Sequence, residues 1–161
     1  VSLWPGVTKE MGKETWKYIT EARDWWLTLA PLANFNERQA ITQLARDHDV
    51  FIITARRDTK GDSVSHQTWR WLGCHGIHGP SVIVIEEKGP LAAALKLDFF
   101  VDDKPENCED VNLHSPETKT YLRVWDWNRE IPMHWSIGEV KSLTAFLEIV
   151  ALREEEIRNE P

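Results

Sequence analysis

The fold is decided by the stretch VIVIEEKGPLAAALKLDFFVDDKP, residues 82–105. An apolar run at 82–85 is followed by an Ala- and Leu-rich segment at 91–97 and by a second apolar run at 99–101, inside a strand predicted over 98–102. Short continuous apolar runs are typical of strands buried on both faces, and the Ala- and Leu-rich segment favours a helix with Pro90 in its first turn. This order predicts a right-handed crossover between two parallel strands.

The sequence upstream of this stretch continues the alternation of helices and strands. Apolar residues at helical spacing predict a helix within 8–29, and a second helix starts near Asn34 or Asn36. A β-branched and aromatic run at 50–54 predicts a buried strand. A third helix follows, and the residue that caps it is Asp62 or Ser63.

The downstream sequence adds two more elements. Residues 120–125 predict a fourth strand, and Ser136-x-x-Glu139 has the form of a capping box that opens a long last helix. The apolar face of that helix is carried by Val140, Leu143, Phe146, Leu147, Val150 and Leu152. The fold class is therefore α/β, with a parallel sheet covered by helices on both faces.

Composition limits the function classes. The 161 residues, 42% of them hydrophobic, predict one domain over 1–161 with a frayed tail at 154–161. A net charge of −7 argues against a partner that is a nucleic acid duplex. Two cysteines form no disulfide framework, and no apolar stretch reaches the about 18 to 20 residues of a membrane span. We expect a cytoplasmic protein without a membrane partner.

Polar residues stand at the ends of the apolar runs. Thr54 ends one run, Lys88 follows another, and the pair Asp102-Asp103 ends a third. Ligands of open parallel sheets gather at the carboxyl ends of the strands, and adjacent carboxylates suit Mg²⁺. Taken singly, each has a plainer explanation: Thr favours strands, an isolated Lys is a solvated charge, and Asp is common in turns. Arg56 is a candidate clamp for a phosphate.

The ordered set resembles motifs two, three and four of the haloacid dehalogenase superfamily, most closely its 5′-nucleotidase-like branch. The residues that carry the resemblance are FIITAR at 51–56, Lys88, and FFVDDKPEN at 99–107. The resemblance implies a Rossmann-like sheet with a small helical cap in 1–30 and a core in 31–153. It further implies that Thr54 and Lys88 are catalytic, Arg56 binds substrate, Asp102 and Asp103 hold Mg²⁺, and the substrate is a small phosphorylated metabolite or nucleoside monophosphate.

The sequence departs from this family in its first motif, the Asp-x-Asp whose leading carboxylate attacks phosphorus. Asp47-His48-Asp49 precedes its strand, which places it at the opposite edge of the sheet. Asp126, after the fourth predicted strand, lies at the correct edge and is a weak surrogate acid. In the family the absent strand is central, so its loss would leave two unpaired strand edges.

Three explanations stay open for the missing strand. The chain is a fragment, as the opening VSLW suggests by its resemblance to sequence that follows motif one; another chain, such as a second copy in a homo-oligomer, donates the strand; or the sheet closes into an inactive variant. We expect truncation. The alternative function is a catalytically inactive phosphate- or protein-binding domain. We also expect Asp102→Asn to abolish metal binding while leaving the fold intact.

Two further sequence features have competing interpretations. Trp16, Trp25 and Trp26 lie in the implied cap, where base stacking competes with ordinary core packing. Cys74, His75 and His78 suggest zinc only weakly, because no paired Cys-x-x-Cys accompanies them. A receiver domain combines similar residues, but its acids come first in the chain, whereas here they come last.

Overall fold

A computed structural model describes residues 7–134 and 136–159 and has an α/β architecture whose paired strands all run parallel. The predicted fold class is confirmed. The chain divides into two compact units, unit one ending at Glu86 and unit two beginning at Glu87. The single domain over 1–161, with its cap in 1–30, stays a prediction. Among the described residues no helix combines the length and apolar character needed to cross a membrane.

Unit one contains a two-stranded sheet in which β1 (Phe51–Thr54) pairs with β2 (Ser81–Val84), with Phe51 opposite Ser81 and Thr54 opposite Val84. Its core includes Trp26, Val64, Leu72 and Ile77. Both strands lie within one residue of the predicted runs. The elements of unit one, in chain order, are α1 (Lys9–Glu21), a 3₁₀ helix (Trp25–Thr28), α2 (Phe35–Asp47), β1 (Phe51–Thr54), α3 (Val64–Cys74) and β2 (Ser81–Val84).

Side-chain caps fix where the helices of unit one begin. Asn34 is the cap of α2: its side chain accepts from the Glu37 N–H at 3.0 Å, and the Glu37 carboxylate accepts from the Asn34 N–H at 2.8 Å. Ser63 caps α3 by accepting from the His66 N–H at 3.3 Å. Of the two candidates for each helix, Asn34 and Ser63 are therefore the caps.

The single helix predicted within 8–29 is wrong in its second half. The α-helix ends at Glu21, and Asp24 adopts a left-handed conformation with φ 52°. The Asp24 N–H donates to the Lys60 carbonyl at 2.7 Å, and its carboxylate accepts from the Asp62 N–H at 2.7 Å. These hydrogen bonds to a loop distant in sequence change the direction of the chain. The apolar residues that follow form a 3₁₀ helix, in which Trp26 is buried.

Unit two contains a three-stranded parallel sheet in the order β3 (Phe99–Asp102), β4 (Lys119–Arg123), β5 (Gly138–Val140). The register of β3 and β4 runs from Phe99 opposite Lys119 to Asp102 opposite Leu122. Helix α5 packs against α4, β3 and β4. The elements of unit two are α4 (Lys88–Leu95), β3 (Phe99–Asp102), α5 (Pro105–His114), β4 (Lys119–Arg123), β5 (Gly138–Val140) and α6 (Leu143–Asn159).

The capping box predicted at Ser136-x-x-Glu139 is wrong, because Glu139 lies in β5 and α6 begins only at Leu143. Ser142 precedes that helix, and its hydroxyl accepts from the Ala145 N–H at 3.0 Å. Val140, predicted on the helix face, is a buried strand residue. Gly138 lets β5 approach the Tyr121 ring, where an added Cβ would lie 2.6 Å from two ring carbons.

Helix α5 has no counterpart among the sequence predictions. Its buried residues are Pro105, Cys108 and Val111, while most of its other positions are polar, which leaves a weak apolar pattern. The last helix, α6, continues to Asn159 and so extends into the segment predicted as a frayed tail.

Candidate functional site

Asp102 is the last residue of β3, and protein donors surround its carboxylate. Oδ2 accepts from the Lys88 ammonium, and Asn107 Nδ2 lies 3.0 Å from both Oδ1 and Oδ2. Oδ1 also accepts from the Lys104 N–H at 2.8 Å. The Asn107 contact is shared between the two oxygens, so the three donor groups leave about one of the roughly four lone-pair sites of this carboxylate for a cation. We call Lys88, Asp102, Asp103 and Asn107 the strand-end cluster.

Lys88 is the first residue of α4, and the start of this helix positions its side chain in the cluster. Its side chain is 8% exposed and that of Asp102 is 10% exposed. Burial of either charge alone would be strongly unfavourable, and each charge offsets the other here. Gly89, the next residue, donates its N–H to the Asp110 carboxylate, so a side chain of α5 holds the start of α4.

Asp103 differs from its neighbour because it is exposed. Partial desolvation, together with the nearby charge of Asp102, raises the pKa of the Asp103 carboxyl above its usual value. Two adjacent carboxylates that resist ionising together are stabilised by a cation placed beside them. The positive charge of Lys88 favours the ionised form of Asp103, but its ammonium donates to Asp102.

These residues fit a Mg²⁺ ion. Asp102 and Asp103 offer hard oxygen atoms, and Mg²⁺ takes one or two carboxylates and keeps several waters or phosphate oxygens. Within residues 7–134 and 136–159 no group of three or more His, Cys, Asp and Glu side chains is arranged to hold a metal. That finding gives no support to zinc at Cys74, His75 and His78, and a site with only two carboxylates is the kind that Mg²⁺ accepts.

Cys108 lies directly behind the cluster and is fully buried. Its thiol lies 3.7 Å from the Asp102 carbonyl oxygen and 3.5 Å from that of Tyr121, and the single S–H is shared between these two acceptors. Burial, followed by the charge of Asp102, raises the pKa of the Cys108 thiol to about 12. The thiol is therefore neutral at physiological pH and packs as a small apolar group rather than acting as a nucleophile.

Asn128 is a fully buried polar residue near the cluster. Its Nδ2 donates to the Asp103 carbonyl at 2.7 Å and to the Arg123 carbonyl at 2.9 Å. Its Oδ1 accepts from the Trp125 N–H at 2.7 Å. The amide thus joins the segments that follow β3 and β4.

Thr54 and Arg56 belong to unit one. Thr54 is the last residue of β1 and half-buried, and its carbonyl accepts from the Ile85 N–H at 2.9 Å. Arg56 lies 4.9 Å above the Trp26 ring and donates to the Thr68 hydroxyl at 3.2 Å. Burial lowers the pKa of its guanidinium, which stays protonated. The roles of both residues in phosphate binding stay predictions.

The other acidic candidates lie outside the strand-end cluster. Asp126 is 95% exposed and pairs with Arg129. Asp47 is the last residue of α2, and Asp49 follows it ahead of β1. Neither arrangement gives these carboxylates the shielded surroundings of Asp102.

Sequence reasoning placed Lys88, Asp102 and Asp103 in one candidate site, and the structure brings these three together in unit two. The sequence patterns alone assign no role to Asn107 or to Asn128. The contact of Asn107 with Asp102 could have been predicted, because Asn107 lies in the first turn of the helix that follows the acidic pair. No such signal marks Asn128, since it lies 25 residues from Asp103 in an irregular turn.

A family model described as "5' nucleotidase, deoxy (Pyrimidine), cytosolic type C protein" matches residues 2–129. The matched range includes Thr54, Lys88, the Asp102-Asp103 pair and Asn128. Neither a comparison with curated proteins nor one with solved structures gives a match.

Proposed function

Because the chain belongs to the cytosolic type C family of 5′-nucleotidases, we propose that its site serves the Mg²⁺-dependent hydrolysis of a pyrimidine deoxynucleoside monophosphate. The observation that carries the proposal is the acidic pair Asp102-Asp103 at the carboxyl end of a parallel strand, with Lys88 against it. That end of an open parallel sheet is where ligands bind. The family description also supports a cytoplasmic location.

In this proposal each residue of the cluster has a separate task. Asp102 and Asp103 would hold Mg²⁺, which supplies positive charge to the phosphoryl group when bound. Asn107 and Lys88 keep the Asp102 carboxylate in a fixed orientation, and the Lys88 ammonium adds a positive charge at the same strand end. Phosphoryl transfer needs mainly such positioning and charge stabilisation.

We propose phosphate-binding roles for Thr54 and Arg56 of unit one on the chemistry of each residue. The Thr54 hydroxyl, at the carboxyl end of β1, is a donor for a phosphoryl oxygen. Arg56, already held by Trp26 and Thr68, presents a pre-oriented guanidinium, the group best suited to a phosphate.

Hydrolysis also needs an attacking carboxylate. Among the described residues no Asp-x-Asp pair stands at the carboxyl end of a strand. The second candidate function, a catalytically inactive domain that binds a phosphate or a protein, follows from this observation. The two functions share the metal site and differ in turnover.

The test measures two quantities on the same protein: binding of thymidine 5′-monophosphate by calorimetry and release of inorganic phosphate, each with and without Mg²⁺. We expect Mg²⁺-dependent binding and release that Asp103→Asn removes. Asp98→Asn is the matched control, because Asp98 is exposed and precedes the opposite end of β3.

The outcomes separate the two functions. Release that depends on both Mg²⁺ and Asp103 supports the phosphatase. Mg²⁺-dependent binding without release supports the inactive binding domain. Nucleotide binding that is indifferent to Mg²⁺ and to Asp103→Asn contradicts both.

A further inference from the structure

We propose that Asn128 is a positioning residue for the metal site: its buried side-chain amide fixes the main chain at Asp103 and thereby sets the direction of the Asp103 carboxylate. This inference rests on the proposed function, since it takes Asp102 and Asp103 as the Mg²⁺ ligands. Asn128 itself does not touch the metal or the substrate in this account.

The position of Asn128 follows from where the β3–β4 ladder stops. The last paired residues are Asp102 and Leu122, so Asp103 and Arg123 are one position beyond the ladder. Asn128 Nδ2 donates to the carbonyl oxygens of both residues, at 2.7 Å and 2.9 Å. A primary amide has two N–H donors, and these two acceptors use both of them. The side chain therefore replaces the ladder at the point where the strands separate.

The other end of the amide is also held. Asn128 Oδ1 accepts from the Trp125 N–H at 2.7 Å, and the residue is 0% exposed. Within the described part of the chain, its side-chain hydrogen bonds are all to main-chain groups, so the amide holds backbone. A buried, fully paired amide of this kind holds a single orientation, because any rotation would leave polar groups unsatisfied.

The two carboxylates of the cluster depend on this anchor to different degrees. Side-chain donors from Lys88 and Asn107 hold the Asp102 carboxylate. The Asp103 residue is exposed, and its main-chain carbonyl is the part of it that Asn128 holds. Loss of the Asn128 amide should therefore alter Asp103 more than Asp102. Groups that orient metal ligands in this way typically change metal affinity by about 10- to 100-fold.

Unit one offers a matched control in Gln67, which is also 0% exposed. Its Oε1 accepts from the Trp26 N–H at 3.1 Å, and its Nε2 donates to the Thr59 hydroxyl at 2.9 Å and the Asp62 carbonyl at 2.6 Å. Gln67 thus has the same burial and the same pattern of one accepted and two donated hydrogen bonds. It anchors a loop of unit one instead of the acidic pair.

The experiment measures the Mg²⁺ dissociation constant by calorimetry for the wild-type chain, Asn128→Ala, Gln67→Ala and Asp103→Asn, at a temperature where each variant is folded by circular dichroism. We expect Asn128→Ala to weaken Mg²⁺ binding about 10-fold. Gln67→Ala should lose a similar amount of thermal stability and keep the wild-type affinity. A purely structural role for Asn128 would lower stability in both and change affinity in neither.

A second measurement uses the wild-type protein and does not depend on the variants folding. In a Mg²⁺ titration followed by nuclear magnetic resonance, the Asn128 side-chain amide and the Trp125 N–H should shift with the calorimetric dissociation constant. The Gln67 side-chain amide and the Trp26 N–H should not shift.

Each outcome decides the inference. Unchanged Mg²⁺ affinity in Asn128→Ala overturns the inference, and so do Asn128 amide signals that do not shift with Mg²⁺. In either case the metal site itself is still supported if Asp103→Asn abolishes Mg²⁺ binding. Wild-type affinity in Asp103→Asn overturns the metal site and this inference together. An affinity loss of equal size in Gln67→Ala also overturns it, because the effect would then be general destabilisation.

Discussion

Asp102→Asn is expected to lower the free energy of unfolding by about 3 kcal/mol. The Asp102 and Lys88 side chains are 10% and 8% exposed, so removal of the carboxylate leaves an ammonium buried without its counter-charge. The substitution also replaces an acceptor that faces Asn107 and the Lys104 N–H by an amide that is half donor. Urea denaturation without Mg²⁺ measures the change.

A control variant and a double variant test whether the loss of stability comes from the buried ion pair. Asp98→Asn, at the other end of β3, should change stability by less than about 0.5 kcal/mol because the residue is exposed. Adding Lys88→Met to Asp102→Asn should recover much of the loss, since the unpaired charge is then gone. A stability of Asp102→Asn equal to that of wild type would show that the pair is solvated in solution.

Gly89→Ala is expected to destabilise the chain by about 3 kcal/mol, at the upper end of the usual range for overpacking. An added Cβ would lie 2.3 Å from the Asp110 carbonyl oxygen and 2.8 Å from its carbonyl carbon. Both are main-chain atoms, so relief requires that α4 and α5 move apart. Because Lys88 begins α4, the displacement would also disturb its contact with Asp102.

Gly12→Ala is the control for this prediction. Gly12 also lies in a helix, but no atom of the described residues outside that helix lies within 4 Å of the added Cβ. Alanine has the higher helix propensity, so this variant should equal wild type or be more stable by up to about 1 kcal/mol. Thermal unfolding of both variants measures the difference, and equal midpoints would contradict the close packing of α4 on α5.

The sequence was sufficient to predict the parallel strands and the location of the acidic pair, because short β-branched runs and strand-end polar residues are local signals. It was not sufficient to predict the burial of Asp102. The sequence alone predicts that Asp102→Asn leaves the fold intact, because it places the carboxylate at the exposed end of a strand. Burial arises because α4 starts at Lys88 and directs its side chain to a residue 14 positions away.

The errors in element assignment have similar causes. Ser136-x-x-Glu139 has the letters of a capping box, but Glu139 lies in β5 and pairs with Leu122 of β4, and strand pairing outweighs a local cap signal. Helix α5 was missed because its buried face consists of Pro105, Cys108 and Val111 amid polar residues. In both cases the deciding contacts are tertiary: β5 pairs with β4, and α5 packs on α4, β3 and β4. No local pattern in those segments predicts these contacts.

The measurement that tests the central claim most directly is Mg²⁺ binding by calorimetry to the wild-type chain, Asp103→Asn and Asp98→Asn. Asp103 is exposed, so loss of its charge should affect the metal and not the fold. We expect Mg²⁺ to bind the wild type and Asp98→Asn with equal affinity and to show no measurable binding to Asp103→Asn. Equal Mg²⁺ affinity in all three proteins would contradict the assignment of the strand-end cluster as the metal site.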